Sequence, residues 1–156
     1  MTTDNSVTQA DYGVGDASYR AAGGEKGIEA LVERFYTLMD SLPEAAELRA
    51  MHADDLTLSK QKLVAFLCGW MGGPKRYSEQ FGNITLPAAH RHLPVDMASK
   101  NSWLDCMERA MCELGYPEPF RRHLMAKFEV PAESIRLMSE FEQQRSSGGG
   151  VHYDPV

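Results

Sequence analysis

Along most of the chain, apolar side chains recur every three or four positions, the period of a helix that buries one face. The segment "KGIEALVERFYTLMD" sets Ile28, Leu31, Val32, Phe35, Leu38 and Met39 on one stripe, with Tyr36 at its edge. "AAGG" just before it lets the chain turn into the helix. Pro43 ends that element, and "PEAAELRAMH" predicts a short helix leading to a corner at His52. In "LTLSKQKLVAFLCGWMGGP", Thr57 is the expected N-cap and Leu63, Phe66, Leu67 and Trp70 line one face. Gly72-Gly73-Pro74 stops the helix, because glycine closes a C-terminus and proline cannot continue it.

From Lys75 to about Ala89 the period is lost. Irregular stretches of that length in a compact domain are uncommon and tend to be functional. Asp96 or Ser99 then opens a helix with Trp103, Met107, Ala110, Met111 and Leu114 on one side, and Gly115 ends it. "PEPFRRHLMAKFEVPAESIRLMSEFEQ" predicts two helical pieces hinged at Pro131, the first carrying Phe120, Leu124 and Phe128 and the second Ile135, Met138 and Phe141. No segment alternates as a strand does. The expected fold is all-α, about six helices with one irregular stretch between them. The polar beginning and the glycine-rich "QRSSGGGVHYDPV" predict disordered ends over 1–17 and 144–156, flanking a helical domain over 18–143.

Composition narrows the partners. A chain of 156 residues builds one domain, and 43% hydrophobic with 24% charged residues is an ordinary balance for a folded core. The net charge of -6 and the lack of any dense basic tract argue against nucleic acid and anionic membranes as partners. The beginning of the chain lacks an apolar signal core, and no run approaches the roughly 18 apolar residues of a membrane span, so the expected location is the cytoplasm. Cys68, Cys106 and Cys112 form no CxxC pair and sit in apolar helical patterns, which predicts buried, reduced thiols.

The chain has five histidines and places two of them in "PAAHRHLPVD", at a turn between helical patterns. A neutral imidazole is the commonest nitrogen ligand for a metal and also sits beneath haem iron. Two histidines at i and i+2 point apart, so His90 or His92, but not both, would reach a single iron, and a surface or capping role is open to either.

The order of motifs from Tyr19 to Phe141 resembles the truncated haemoglobins of group II, the O type. The matching strings are "AAGG", "RFY", "LRAMH", "DLTLSKQKLVAFLCGWMGGP", "YSEQFG", a histidine before a proline, and "WLDCM". The resemblance implies a shortened globin, two helices packed on two, around a b-type haem. No CxxCH motif would attach that haem covalently.

In the family pattern the proximal histidine lies thirteen positions before the tryptophan of "WLDCM", which falls on His90. The family's RHxP string fits Arg91-His92-Leu93-Pro94 instead and shortens the next segment, so the count favours His90. By the same likeness Tyr36, His52 and Trp103 face the ligand as distal donors: a phenol O–H, an imidazole N–H and an indole N–H. His52 stands where relatives commonly carry an aromatic residue, often tyrosine, and Ser59 falls at the distal gate. Leu63, Phe66, Leu67 and Met107 are the expected apolar wall, and Lys75, Tyr77 and Arg91 the partners of the propionates.

Ferrous haem pushes electron density onto the ligand it takes, so distal donors retain that ligand. Each such hydrogen bond contributes about 1.5–3 kcal/mol, and two would slow oxygen release by about a few hundredfold. The expected ligands are O₂, NO, CO or peroxide. Slow release favours NO or peroxide detoxification, or sensing, over oxygen transport, with an unidentified electron donor as partner. Two other readings are a helical interaction domain and a non-haem metal protein using the HxH element with Asp96.

Overall fold

The computed structural model describes residues 11–82 and 86–148. Among them the chain is helical and without strands: α1 (Ala17–Ala21), α2 (Gly24–Ser41), a 3₁₀ turn (Pro43–Ala45), α3 (Ala46–Ala50), α4 (Thr57–Trp70), α5 (Arg76–Phe81), α6 (Leu86–His90), α7 (Met97–Glu113) and α8 (Glu118–Gly148). α2 packs against both α4 and α7, α7 packs against α8, and α8 also covers α6. Two helices thus lie on two.

The core follows from the stripes. Ile28, Leu31, Val32, Phe35 and Met39 of α2 are buried, and they meet Leu67 and Cys68 of α4 and Cys106, Met107, Ala110 and Met111 of α7. Phe120, Leu124 and Phe128 of α8 complete it. Fully burying a side chain of this size stabilises by roughly 1.5–3 kcal/mol, which is why these short helices hold together although most are too short to persist alone.

Two glycines shape the entry to the fold. Gly23, at φ 94°, takes the left-handed turn that starts α2. Gly72, at φ 92°, closes α4, and a Cβ there would lie 1.9 Å from the Gly15 carbonyl oxygen. The Gly-Gly-Pro stop is therefore also the seat of the segment leading into α1, where Tyr19 N–H donates to the Met71 carbonyl at 3.0 Å.

Several expectations are corrected. The stretch after Lys75 contains α5 and α6, each too short to show a period in the sequence. The two pieces expected around Pro131 are one helix, with the proline inside it. Proline removes one backbone donor from the ladder, and packing along α7 and α6 carries α8 past it. α8 also runs to Gly148, beyond the expected domain end at 143, while 1–10 and 149–156 lie outside the described residues. Thr57 is the first helical residue rather than the cap: the Asp55 carboxylate accepts from its N–H at 2.9 Å and its hydroxyl at 2.7 Å. Asp96 does cap α7, accepting from Ser99 N–H at 2.8 Å. Cys68 and Cys106 are buried free thiols, but Cys112 is exposed. No helix among the described residues is long and apolar enough to cross a membrane.

Candidate functional site

The short helix α6 ends at His90, and its period sets the ring. The Nδ1 of His90 lies 2.8 Å from the carbonyl oxygen of Leu86, four residues back. A carbonyl only accepts, so Nδ1 carries the proton and donates. In the neutral imidazole the lone pair is then on Nε2, the free nitrogen at the tip of a half-buried ring. This is the tautomer that binds a metal through Nε2, with the backbone fixing the ring. His92 is exposed, as is Arg91.

Tyr36 stands beside a second histidine. His52, at the corner after α3, has its pKa lowered by burial and further by the nearby charges of Arg49 and His90. The ring of Tyr36 meets His52 edge to face, with centroids 5.7 Å apart. Phe35 joins that phenol to Trp103: its centroid is 5.0 Å from Tyr36 and 5.1 Å from Trp103. Helix α2 thus carries the aromatic that locks two expected donors from different elements. Trp103 also packs on Phe128 of α8 at 5.3 Å.

The proton inventory of this cluster corrects one expectation. Nδ1 of His52 lies 2.9 Å from the Leu48 carbonyl, so it too must donate there. Neutral His52 therefore presents an acceptor lone pair at Nε2, not the imidazole donor expected. That carbonyl, near the end of a five-residue helix, also accepts from Met51 N–H at 3.1 Å. Tyr36 differs. Burial pushes its phenol up to about 12, so the O–H keeps its proton across the neutral range.

The wall comes from α4. Leu67 is fully buried, and Leu63 and Phe66 are partly buried against the core. Phe66 stacks on Trp70, which in turn stacks on Phe128 with centroids 4.3 Å apart. Met107 is wholly enclosed within the core. Ser59 lies on the first turn of α4, partly exposed. Of the expected propionate partners, Tyr77 is half-buried and packs on Phe81 at 5.3 Å, while Lys75 is exposed at the start of α5.

The sequence reading missed Leu86, whose carbonyl sets the tautomer of His90; its i−4 spacing was the available signal. It also missed Ser139, which binds the loop after His90 from α8. For the non-haem alternative, Asp96 is committed to capping α7, and no three His, Cys, Asp or Glu side chains converge among the described residues.

A histidine whose Nδ1 donates to the backbone, leaving the lone pair on Nε2, suits axial ligation of haem iron. The comparisons with known proteins agree. The family model of bacterial-like globins matches residues 17–136. The group 2 truncated hemoglobin YjbI of Bacillus subtilis is 32% identical over 131 residues, covering 84% of this chain and 96% of that protein. The group II 2-on-2 hemoglobin of the plant pathogen Agrobacterium tumefaciens superposes with a TM-score of 0.73 at 39% identity, over 76% of this chain and 92% of that one. The truncated oxygen-avid haemoglobin of Bacillus subtilis does so with a TM-score of 0.70 at 32% identity, over 76% and 97%. The chain is a member of the bacterial-like globin family and, within it, of the group II truncated haemoglobins.

Proposed function

We propose that the chain holds a b-type haem through Nε2 of His90 and takes O₂, NO, CO or peroxide on the side of Tyr36, His52 and Trp103. The observation that carries this reading is the Leu86 carbonyl on Nδ1 of His90, which leaves Nε2 as the ligating atom. When bound, ferrous haem supplies an iron that accepts diatomic ligands.

The chain's own residues do the rest. Leu63, Phe66 and Leu67 keep water off the ligand side, which strengthens every polar contact made there. Tyr36 and Trp103 donate to a ligand that carries negative charge. Lys75, Tyr77 and Arg91 supply the cations and hydroxyl that haem carboxylates need as partners. Two donors of this kind retain oxygen too long for efficient carriage, so the favoured role is NO or peroxide detoxification, or ligand sensing, in the cytoplasm. A turnover role also requires an electron donor.

The test is the absorption spectrum of the purified chain after titration with haemin. An intense Soret band saturating at one haem per chain, and shifting with O₂, CO and NO, supports the proposal. A chain that stays folded and colourless refutes it.

A further inference from the structure

The loop between α6 and α7 is tied to α8 by one buried hydroxyl. Ser139 is 1% exposed. Its Oγ donates to the Leu93 carbonyl at 2.6 Å and accepts from Val95 N–H at 2.8 Å. Serine within a helix ordinarily turns its proton back to a carbonyl of its own helix. Here both interactions cross to another element.

The bonds continue toward the site. Leu93 N–H donates to the carbonyl of His90 at 2.9 Å, and the ring of His90 donates to Leu86. A chain of hydrogen bonds therefore runs from the imidazole, through its own carbonyl and Leu93, to Ser139. α8 is held in turn against the start of α7. Buried Lys100 pairs with Glu129 and Glu133, and Arg136 grips both oxygens of Glu133 at 2.7 Å. The loop after His90 is thus seated on a helix fixed one turn below the serine.

We infer that Ser139 is a positioning residue for His90: by holding Leu93 and Val95 it sets the tilt and height at which Nε2 is presented. The inference rests on the haem reading above. Ser139 lies beyond the stretch 17–136 matched by the family model. A five-residue helix cannot fix a ring alone.

The experiment is resonance Raman spectroscopy of the deoxy ferrous, haem-loaded full chain, reading the iron–histidine stretch. It is paired with amide exchange at Val95. In S139A the stretch shifts and broadens, and Val95 exchanges about tenfold faster, the scale of one or two lost hydrogen bonds. S139T restores a narrow band near the wild-type position. S102A, which loses the Ser102 hydroxyl bond to the Glu44 carbonyl elsewhere on α7, leaves the band alone.

An S139A band identical in position and width to wild type overturns the inference, even if Val95 exchange accelerates, because the hydroxyl would then only stiffen the loop. Should S139A fail to fold, the near-isosteric S139C is read the same way. A wild-type chain that takes no haem overturns the functional reading itself. A wild-type band unmoved by the serine variants overturns only this inference.

Discussion

Tyr36 and His52 meet edge to face, their ring planes at 77°, yet they offer opposite hydrogen-bonding chemistry to the space beside them. The phenol keeps a proton to give, since burial pushes its pKa up to about 12. The imidazole has committed its proton to the Leu48 carbonyl. Neutral His52 can accept, and only the imidazolium has a second N–H to donate.

Loss of either neutral-pH donor accelerates oxygen release. A hydrogen bond to a charged acceptor contributes about 1.5–3 kcal/mol, so Y36F and W103F each raise the off-rate by roughly tenfold to a hundredfold. H52A changes it by much less at pH 7.5. Stopped-flow displacement of O₂ by CO measures all three, and equal rates for Y36F, W103F and wild type would remove the donor mechanism.

Acidification recruits His52. Its pKa lies below the usual 6.5 because burial and, less, the charge of Arg49 disfavour the cation. As the pH falls through that lowered value the ring gains a second donor, and oxygen release slows in wild type but stays level in H52Q. Stability moves the other way. A depressed folded-state pKa contributes stability that is present above pH 6.5 and lost as the pH falls through the folded value. H52Q therefore loses less stability on acidification, while His123, also depressed by burial and Lys127, retains its own share. Chemical denaturation of the haem-free chain between pH 7.5 and 5 reads this difference.

The long helices were legible because their buried faces repeat over several turns, as in α2 and α7. α5 and α6 were not, since six and five residues cannot display a stripe; tertiary packing decides them. Pro131 misled because local chemistry argues for a break, whereas burial along α8 overrides one missing donor. The site divides in the same way. The likeness to the truncated haemoglobins pointed to His90, Tyr36 and Trp103, whereas spacing alone left His90 and His92 open. The tautomer of His52 and the reach of Ser139 depend on backbone carbonyls, which sequence does not display.

The proximal assignment separates two neighbours. His90 is half-buried with its Nδ1 held, while His92 points to solvent. His90→Ala is expected to lose the five-coordinate ferrous spectrum and to recover it with added imidazole. His92→Ala keeps the wild-type spectrum. The reverse pattern would move the ligand to His92.

Alkaline stability follows from two buried phenols. Tyr36 and Tyr116 are 5% and 8% exposed, and burial raises each to about 12 from the ordinary 10.0. Below pH 10 both folded and unfolded chains hold these protons, so the contribution is complete. Between pH 10 and 12 the unfolded chain releases them first, and the native state loses about 2–3 kcal/mol per tyrosine by pH 12. Y116F removes one share of that loss. The Tyr116 hydroxyl is buried with no hydrogen-bond partner among the described residues, so the substitution discards an unsatisfied group and leaves stability at pH 7 unchanged or raised. Urea denaturation of the haem-free chain at pH 7 and pH 11 measures both effects. A Y116F variant less stable at pH 7, with the same alkaline loss as wild type, would show that the hydroxyl is satisfied and that its titration is not what weakens the fold.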